Sequence, residues 1–430
     1  MSTAHPQRRP RVVVTLGDPC GVGPEILLGV LHALHHWADI LVVGAKAGAD
    51  LLEGTEHQRV HWRWGHPQGP APEGFKGEAH GLWTSTNRDF GEHRLSGQAL
   101  WLDPTPEVGA AQLKLGQGSA ASGRCAVEAV KAGARLVMAG EADALVTLPL
   151  AKSAAHLAGY DIPGHTELLQ QLSGSPITRM AFVSPRLSVV LHTVHQSLRS
   201  VVDALDADSV AETLTFAADR FIQFTGKQDL RVALCALNPH AGENGAFGDE
   251  ELQLRDAIIQ AEASFLQFTP GDSGPWSQVA SPFSAGPLPE GWEIFPAAPT
   301  QVFGSGRDIE VVSSHREAPL EPGHPAPRFY GPLPADSLFH RAERGEFDLV
   351  VALYHDQGLI PMKLLEPARS VNLTLGLPFI RTSPDHGTAF DKAGRWVADP
   401  TNFLEATALA VRLAGRARGT LWRAEVSAAP

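Results

Sequence analysis

The chain has 430 residues, 43% hydrophobic and 19% charged, with a formal net charge of −12. That length exceeds one typical core and predicts at least two domains, and the acidic balance excludes nucleic acid as the main partner because phosphate backbones need a basic face. The three cysteines, Cys20, Cys125 and Cys235, exclude a disulfide framework or zinc ribbon, and no segment reaches the roughly 20 apolar residues of a membrane helix, so a cytoplasmic protein is expected.

In chain order, residues 11–16 (RVVVTL) read as a buried strand, followed by the turn GDPCGVG. Pro24 and Glu25 then open a helix, since proline fits the first helical turn and an acidic residue favours the positive end of the dipole. A second strand is expected at 39–43. Residues 53–118, rich in Gly, Pro, His and Trp, read as less regular, with some of the stretch loop or excursion. Periodicity returns with a helix near 119–140, the strand DALVTLPL, the amphipathic stretch ELLQQL, and the strand SVVLHTV. A helix (SVAETLTFAADRFIQF), the strand LRVALCAL and a further helix (DEELQLRDAIIQAEASF) follow. Residues 269–328, rich in Pro, Gly and Ser, read as an irregular insertion. The strands DLVVALY and SVNLTLG and a last helix near 402–417 complete the alternation. This order predicts an α/β fold of two units, with 1–155 completed by 381–430 as the first and 156–380 as the second.

Three histidines, His195, His240 and His355, end or follow hydrophobic runs that read as parallel strands. Ligands of open α/β sheets bind at that carboxyl edge, and three neutral imidazoles there suit one divalent metal. Asp356 and Gln357 emerge beside His355 from a strand that looks buried on both faces, so they need partners. Lys363, Asn372 and Arg381 are spaced to form an anion clamp, against the alternative of ordinary surface and capping residues. His165 and Thr166 open a helix; Thr166 reads either as its N-cap or, with His165, as a donor to a carboxylate or phosphate. The loop Asn238-Pro239-His240-Ala241-Gly242-Glu243-Asn244-Gly245 could offer backbone N–H groups to a nucleotide. Gly17–Gly23 reads as either a tight turn or a site of close ligand approach, and it matches neither the dinucleotide fingerprint nor a Walker loop. Asp385 and His386 are adjacent, so on a strand they would face opposite ways.

Together, TLGDPCGVGPEI, PGHTELL, LNPHAGENG, GPLPADSLF, YHDQGLIPMK and VNLTLGLPFIRTSPDHGTAFDKAG resemble the 4-hydroxythreonine-4-phosphate dehydrogenase family of pyridoxine biosynthesis, from about residue 11 to 415. The resemblance implies two α/β/α domains flanking a cleft, like isocitrate and isopropylmalate dehydrogenases, in a homodimer. It implies that His195, His240 and His355 bind a divalent metal (Zn, Mg or Co), one of them, most plausibly His355, supplied by the partner chain. Substrate would be held by His165, Thr166, Lys363, Asn372 and Arg381. NAD or NADP would lie against Asn238, Gly242, Glu243, Gly245 and Asp385, and Lys363, Asp356 or Asp336 would transfer the proton. The implied reaction is oxidation of 4-phosphooxy-L-threonine at its C3 hydroxyl, then decarboxylation to 3-amino-2-oxopropyl phosphate; the alternative is a paralogue acting on a threonate or erythronate 4-phosphate, or on a dihydrodiol carboxylate. The segment Thr147–Ser153 departs from the family pattern, with Leu148 and Ala151 where a Gly and a His are common, which puts a ligand role for that loop in doubt.

Overall fold

The computed structural model describes residues 9–67, 69–85, 97–266, 276, 279–282 and 326–417. The chain divides into two compact units, Met1–Pro176 with Val371–Pro430, and Ile177–Ser370. The crossings differ from those expected at 155/156 and 380/381. The reason at the first crossing is packing: Ile162, Leu168 and Leu169 enter the same core as Val13, Val127 and Leu145. At the second, the strands on either side of residue 376 form one antiparallel hairpin and stay together.

In the first unit, β1 (Arg11–Thr15) leads to α1 (Gly23–Trp37) and β2 (Asp39–Val43), then to α2 (Ala47–Asp50). Next come β3 (His61–Gly65), β4 (Glu78–Ser85), β5 (Gly97–Asp103), α3 (Ala120–Met138), β6 (Ala144–Thr147), α4 (Lys152–Leu157) and α5 (His165–Ser173). The unit is completed by β12 (Val371–Leu375), β13 (Ile380–Pro384) and α11 (Thr401–Ala417). The strands run in the order β12-β13-β6-β1-β2-β5-β4-β3. The central pairs are parallel, and β12, β4 and β3 run antiparallel to their inner neighbours.

Residues 53–118 thus supply three strands among their loops. Their tryptophans pack rather than project: Trp101 is fully buried and donates from Nε1 to Gly44 O at 2.7 Å, with Trp64 edge-on to it at 5.2 Å. The open question at Gly17–Gly23 resolves as a turn. A Cβ at Gly17 would fall 2.2 Å from Pro149 O, at Gly21 2.8 Å from Thr388 O, and at Gly23 2.3 Å from Leu16 O. These glycines approach the protein's own backbone.

In the second unit, β7 (Arg179–Val183) and β8 (Ser188–Leu191) form a hairpin, followed by α6 (Leu198–Asp203) and α7 (Ala207–Thr225). Then come β9 (Arg231–Cys235), α8 (Glu250–Leu266), β10 (Arg328–Leu333), α9 (Ala335–Glu343), β11 (Leu349–Ala352) and α10 (His355–Leu365). The strand order is β10-β9-β11-β8-β7, with the first four parallel. Asp206 caps α7 by accepting from Ser209 N at 2.9 Å, and Gly226, at φ 74°, ends it in the left-handed conformation that glycine adopts without steric cost. Most of the expected insertion at 269–328 lies outside the described residues. Its Trp276 donates from Nε1 to Thr215 Oγ1 at 3.1 Å and stands edge-on to Phe216, while Arg220 Nη2 donates to Trp276 O and Val279 O. Among the described residues no helix is long and apolar enough to cross a membrane.

Candidate active site

β8, β11 and β9 lie side by side and parallel, so their carboxyl ends bring the three histidine-bearing segments to one edge of the second unit's sheet. His195 and His355 come together, with ring centroids 6.0 Å apart in one chain. The ladder between their segments continues past the strands. His192 N donates to Ala352 O at 2.8 Å, and Thr193 gives both its N–H (3.2 Å) and its hydroxyl (2.6 Å) to Leu353 O. His355 Nδ1 is bound to Asp356 Oδ1 at 2.7 Å, which orients the ring and leaves Nε2 as a donor atom. His240 sits apart, its ring 6.3 Å from that of Phe247. Among the described residues no set of three His, Cys, Asp or Glu side chains is arranged to hold a metal ion within the single chain, and the expected set is one completed by a partner chain.

His240 is carried on an unusual turn. Residues 240–245 all have positive φ, between 42° and 93°, and four of them (His240, Ala241, Glu243, Asn244) are not glycine. Left-handed backbone costs L-residues roughly 1–2 kcal/mol each. Buried Glu251 offsets part of this by accepting Leu237 N (3.1 Å), Asn238 N (2.7 Å) and Asn238 Nδ2 (2.9 Å). Asn238 is therefore committed to holding its own loop. Of the residues expected to touch a nucleotide, Gly242 is buried, Glu243 and Gly245 are exposed on this turn, and Asp385 belongs to the first unit, where its N–H binds Asn402 Oδ1.

Beneath the histidine edge, His192 Nδ1 lies 2.9 Å from Thr213 Oγ1. Thr213 gives its own proton to Ser209 O and accepts Arg179 Nε, so the imidazole is the donor. Burial, then the Arg179 charge, push its pKa down to about 4, with Asp206 opposing. The unfolded chain takes up a proton near pH 6.5 that the folded chain refuses until about 4. Stability is therefore complete above 6.5 and falls as pH drops toward 4, by on the order of 3 kcal/mol. Thermal melts across that window should drop more steeply for the parent than for His192→Gln; parallel curves would refute a buried neutral His192.

The first unit holds a second cluster. Arg381, on β13, is 2% exposed, and donates from Nη2 to Thr147 Oγ1 at 2.7 Å and from Nη1 to Thr374 Oγ1 at 2.9 Å. Among the described residues no carboxylate lies within ion-pair distance of it, and burial pushes its pKa down to about 10, opposed by the Glu167 charge. Its Nε, His165 Nε2 and Asn372 Oδ1 are all buried without a hydrogen-bond partner. Burial, followed by the charges of Arg381 and Lys152, drives the His165 pKa well down, so that imidazole stays neutral. An unmet guanidinium Nε, with two further unmet polar atoms on His165 and Asn372 of the same unit, suits an anionic ligand that also carries hydrogen-bond donors. Thr166 is buried inside α5 rather than capping it, since the cap position belongs to Gly164. The clamp expected from Lys363, Asn372 and Arg381 is divided: Asn372 and Arg381 belong to the first unit and Lys363, exposed near the end of α10, to the second. Asp336 is exposed in the first turn of α9, its Oδ1 accepting Ser337 N. Thr147 and Thr374 escape sequence reasoning because a threonine on a buried strand reads as a β-former, and nothing local marks its hydroxyl as facing an arginine.

Residues 84–278 and 309–410 match the family model described as pyridoxal phosphate biosynthetic protein PdxA. The chain belongs to that family. It is 33% identical over 417 residues to a 4-hydroxythreonine-4-phosphate dehydrogenase of Geobacter metallireducens, covering 96% of this chain and 98% of the relative. It is also 36% identical over 410 residues to a D-threonate 4-phosphate dehydrogenase of Pectobacterium atrosepticum, covering 94% and 99%. The crystal structure of 4-hydroxythreonine-4-phosphate dehydrogenase from Klebsiella pneumoniae superposes with a TM-score of 0.64 at 29% identity, covering 94% of this chain and 99% of that one. The protein is therefore an oxidoreductase, a dehydrogenase of this family with its mixed α/β fold.

Proposed function

We propose that the chain catalyses the metal-dependent, NAD(P)-linked oxidation of 4-phosphooxy-L-threonine at its C3 hydroxyl, with loss of CO2 to give 3-amino-2-oxopropyl phosphate, in cytoplasmic pyridoxal 5′-phosphate biosynthesis. The observation that carries this reading is Arg381, a buried guanidinium held by two threonine hydroxyls, with unmet polar atoms on its own Nε and on His165 and Asn372 of the same unit. A phosphate or carboxylate supplies the acceptor that the guanidinium Nε lacks. Arg381 binds and orients the anion, His165 Nε2 and Asn372 Oδ1 accept from hydroxyl or ammonium hydrogens of the same ligand, and Thr147 and Thr374 hold the guanidinium plane.

The donor set at the second unit's sheet edge fits a divalent cation. His195 and His355 are adjacent imidazoles, His355 is oriented by Asp356, and His240 is the third donor, with the site shared in a homodimer. Because His355 stands beside His195 of its own chain, this pair is the more natural single-chain contribution, and His240 the donor to be completed by assembly. A cation held there supplies Lewis acidity that eases removal of the substrate hydroxyl proton and offsets the charge left when CO2 departs. Lys363 is the candidate to accept the hydroxyl proton while hydride passes to the nicotinamide. Asp356, engaged with His355, is better placed to hold that ring than to move a proton, and Asp336 is the third candidate. The turn 238–245 and Asp385 are the proposed nucleotide contacts.

A second reading, oxidation of D-threonate 4-phosphate by the same chemistry, is favoured by the relatives of that name, one of them 36% identical. Purified protein supplied with Mg, Zn or Co and either nicotinamide cofactor should reduce the cofactor and release CO2 with 4-phosphooxy-L-threonine. Turnover of D-threonate 4-phosphate alone would select the second reading, and turnover of neither would overturn both.

A further inference from the structure

We propose that Gln357 is a positioning residue that sets the histidine-bearing ends of β9 and β11 in register; this rests on the metal-site reading above. Past their last residues, Cys235 and Ala352, these two neighbouring strands no longer pair with each other. Gln357 replaces the missing rungs with its side chain. Its Oε1 accepts Leu353 N at 2.7 Å, and its Nε2 donates to Ala236 O at 2.8 Å. One amide thus ties the residue just after β11 to the residue just after β9.

The position follows from the helix. Tyr354 is the N-cap of α10 and offers no side-chain cap, which makes Gln357 the third helical residue. A glutamine there is the partner that reaches back toward the cap in a capping box. Here it reaches one residue further, to Leu353, and outward to the next strand. Leu353 is thereby held on both sides, its N–H by Gln357 and its carbonyl by the N–H and hydroxyl of Thr193. Each tie lies close in sequence to a histidine: Thr193 two residues before His195, Leu353 two before His355, and Ala236 four before His240. Gly358, the next residue, lets α10 seat against the strands, since a Cβ there would fall 2.8 Å from side-chain carbons of both Leu191 and Val189. An amide serves because it alone among side chains of this length presents a fixed donor and acceptor together; a carboxylate supplies only the acceptor and a leucine neither.

The test compares the full-length parent with Gln357→Leu and Gln357→Glu. Cobalt(II) binding is measured by calorimetry and by the ligand-field spectrum, and Leu353 amide exchange by mass spectrometry. Hydrogen-bond partners of metal-ligating side chains typically contribute about 10–100-fold to affinity, and Gln357, which bonds backbone near the histidines and not the rings, corresponds to the lower end, about 10-fold. Gln357→Leu should therefore weaken cobalt binding by about that factor and alter the spectrum, with Leu353 exchanging faster. Gln357→Glu, which keeps the bond to Leu353 and loses the one to Ala236, should fall between and retain slow Leu353 exchange, and it is the decisive variant if the leucine protein misfolds. Parental cobalt affinity and spectrum in both variants would overturn the proposal. If the parent itself binds no cobalt, the metal reading fails separately, and the tie is then judged on exchange: faster at Leu353 in the leucine variant sustains it, and unchanged exchange overturns it.

Discussion

Replacing Arg381 by methionine is expected to lower kcat/KM by about 10²–10³-fold, as loss of a buried charge-assisted contact of about 3–4 kcal/mol would do. The ligand-free melting temperature should meanwhile stay level or rise. The two expectations have one cause. The guanidinium is 2% exposed, its two hydrogen-bond partners are neutral threonines, and its Nε has none. Burial penalises the charged form and pushes its pKa down to about 10, with the Glu167 charge opposing, so at neutral pH the cation carries a cost that a bound anion offsets further. Inorganic phosphate should accordingly raise the melting temperature of the parent and leave that of Arg381→Met unmoved. An equal gain in both proteins would place the anion elsewhere. Arg381→Lys should recover little, because a point charge cannot reach Thr147 and Thr374 together as the planar fork does.

His355→Ala is expected to reduce divalent-cation affinity by about 100-fold or more and turnover in parallel, since one imidazole of a small donor set is a large share of it. Asp356→Asn should be milder, about 10–100-fold, because it replaces the charged acceptor that orients the ring at 2.7 Å by a weaker neutral one and leaves the ligand itself in place. Titrating chelator-stripped proteins with cobalt(II) or zinc(II) separates the two, and excess cation should restore activity more readily in the aspartate variant. Parental affinity in His355→Ala would remove His355 from the cation site.

Much of this was legible beforehand because the signals are local. Runs such as RVVVT and LVVA form strands, and α7 carries its own stop at Gly226. The strand-end histidines and Arg381 stood out because polar residues next to buried strands need partners. Residues 53–118 are harder to read for a physical reason: strands such as HWRWG and EAHGLWTS are poor in the branched side chains that announce a strand, and Trp64 is packed by residues distant in sequence, Trp101 and His80 among them.

By itself, the sequence determined the class of the chain, its family, the order of its elements and which residue types stand at the strand ends, because these depend on patterns a few residues long. Only the tertiary structure decided which of those residues meet. It put His195 beside His355 and set His240 apart on a left-handed turn braced by Glu251. It paired Arg381 with Thr147, 234 residues away, and made Gln357 a bridge between two strands. Such partnerships depend on strand order and on where a ladder ends, and neither is written within any short stretch of chain.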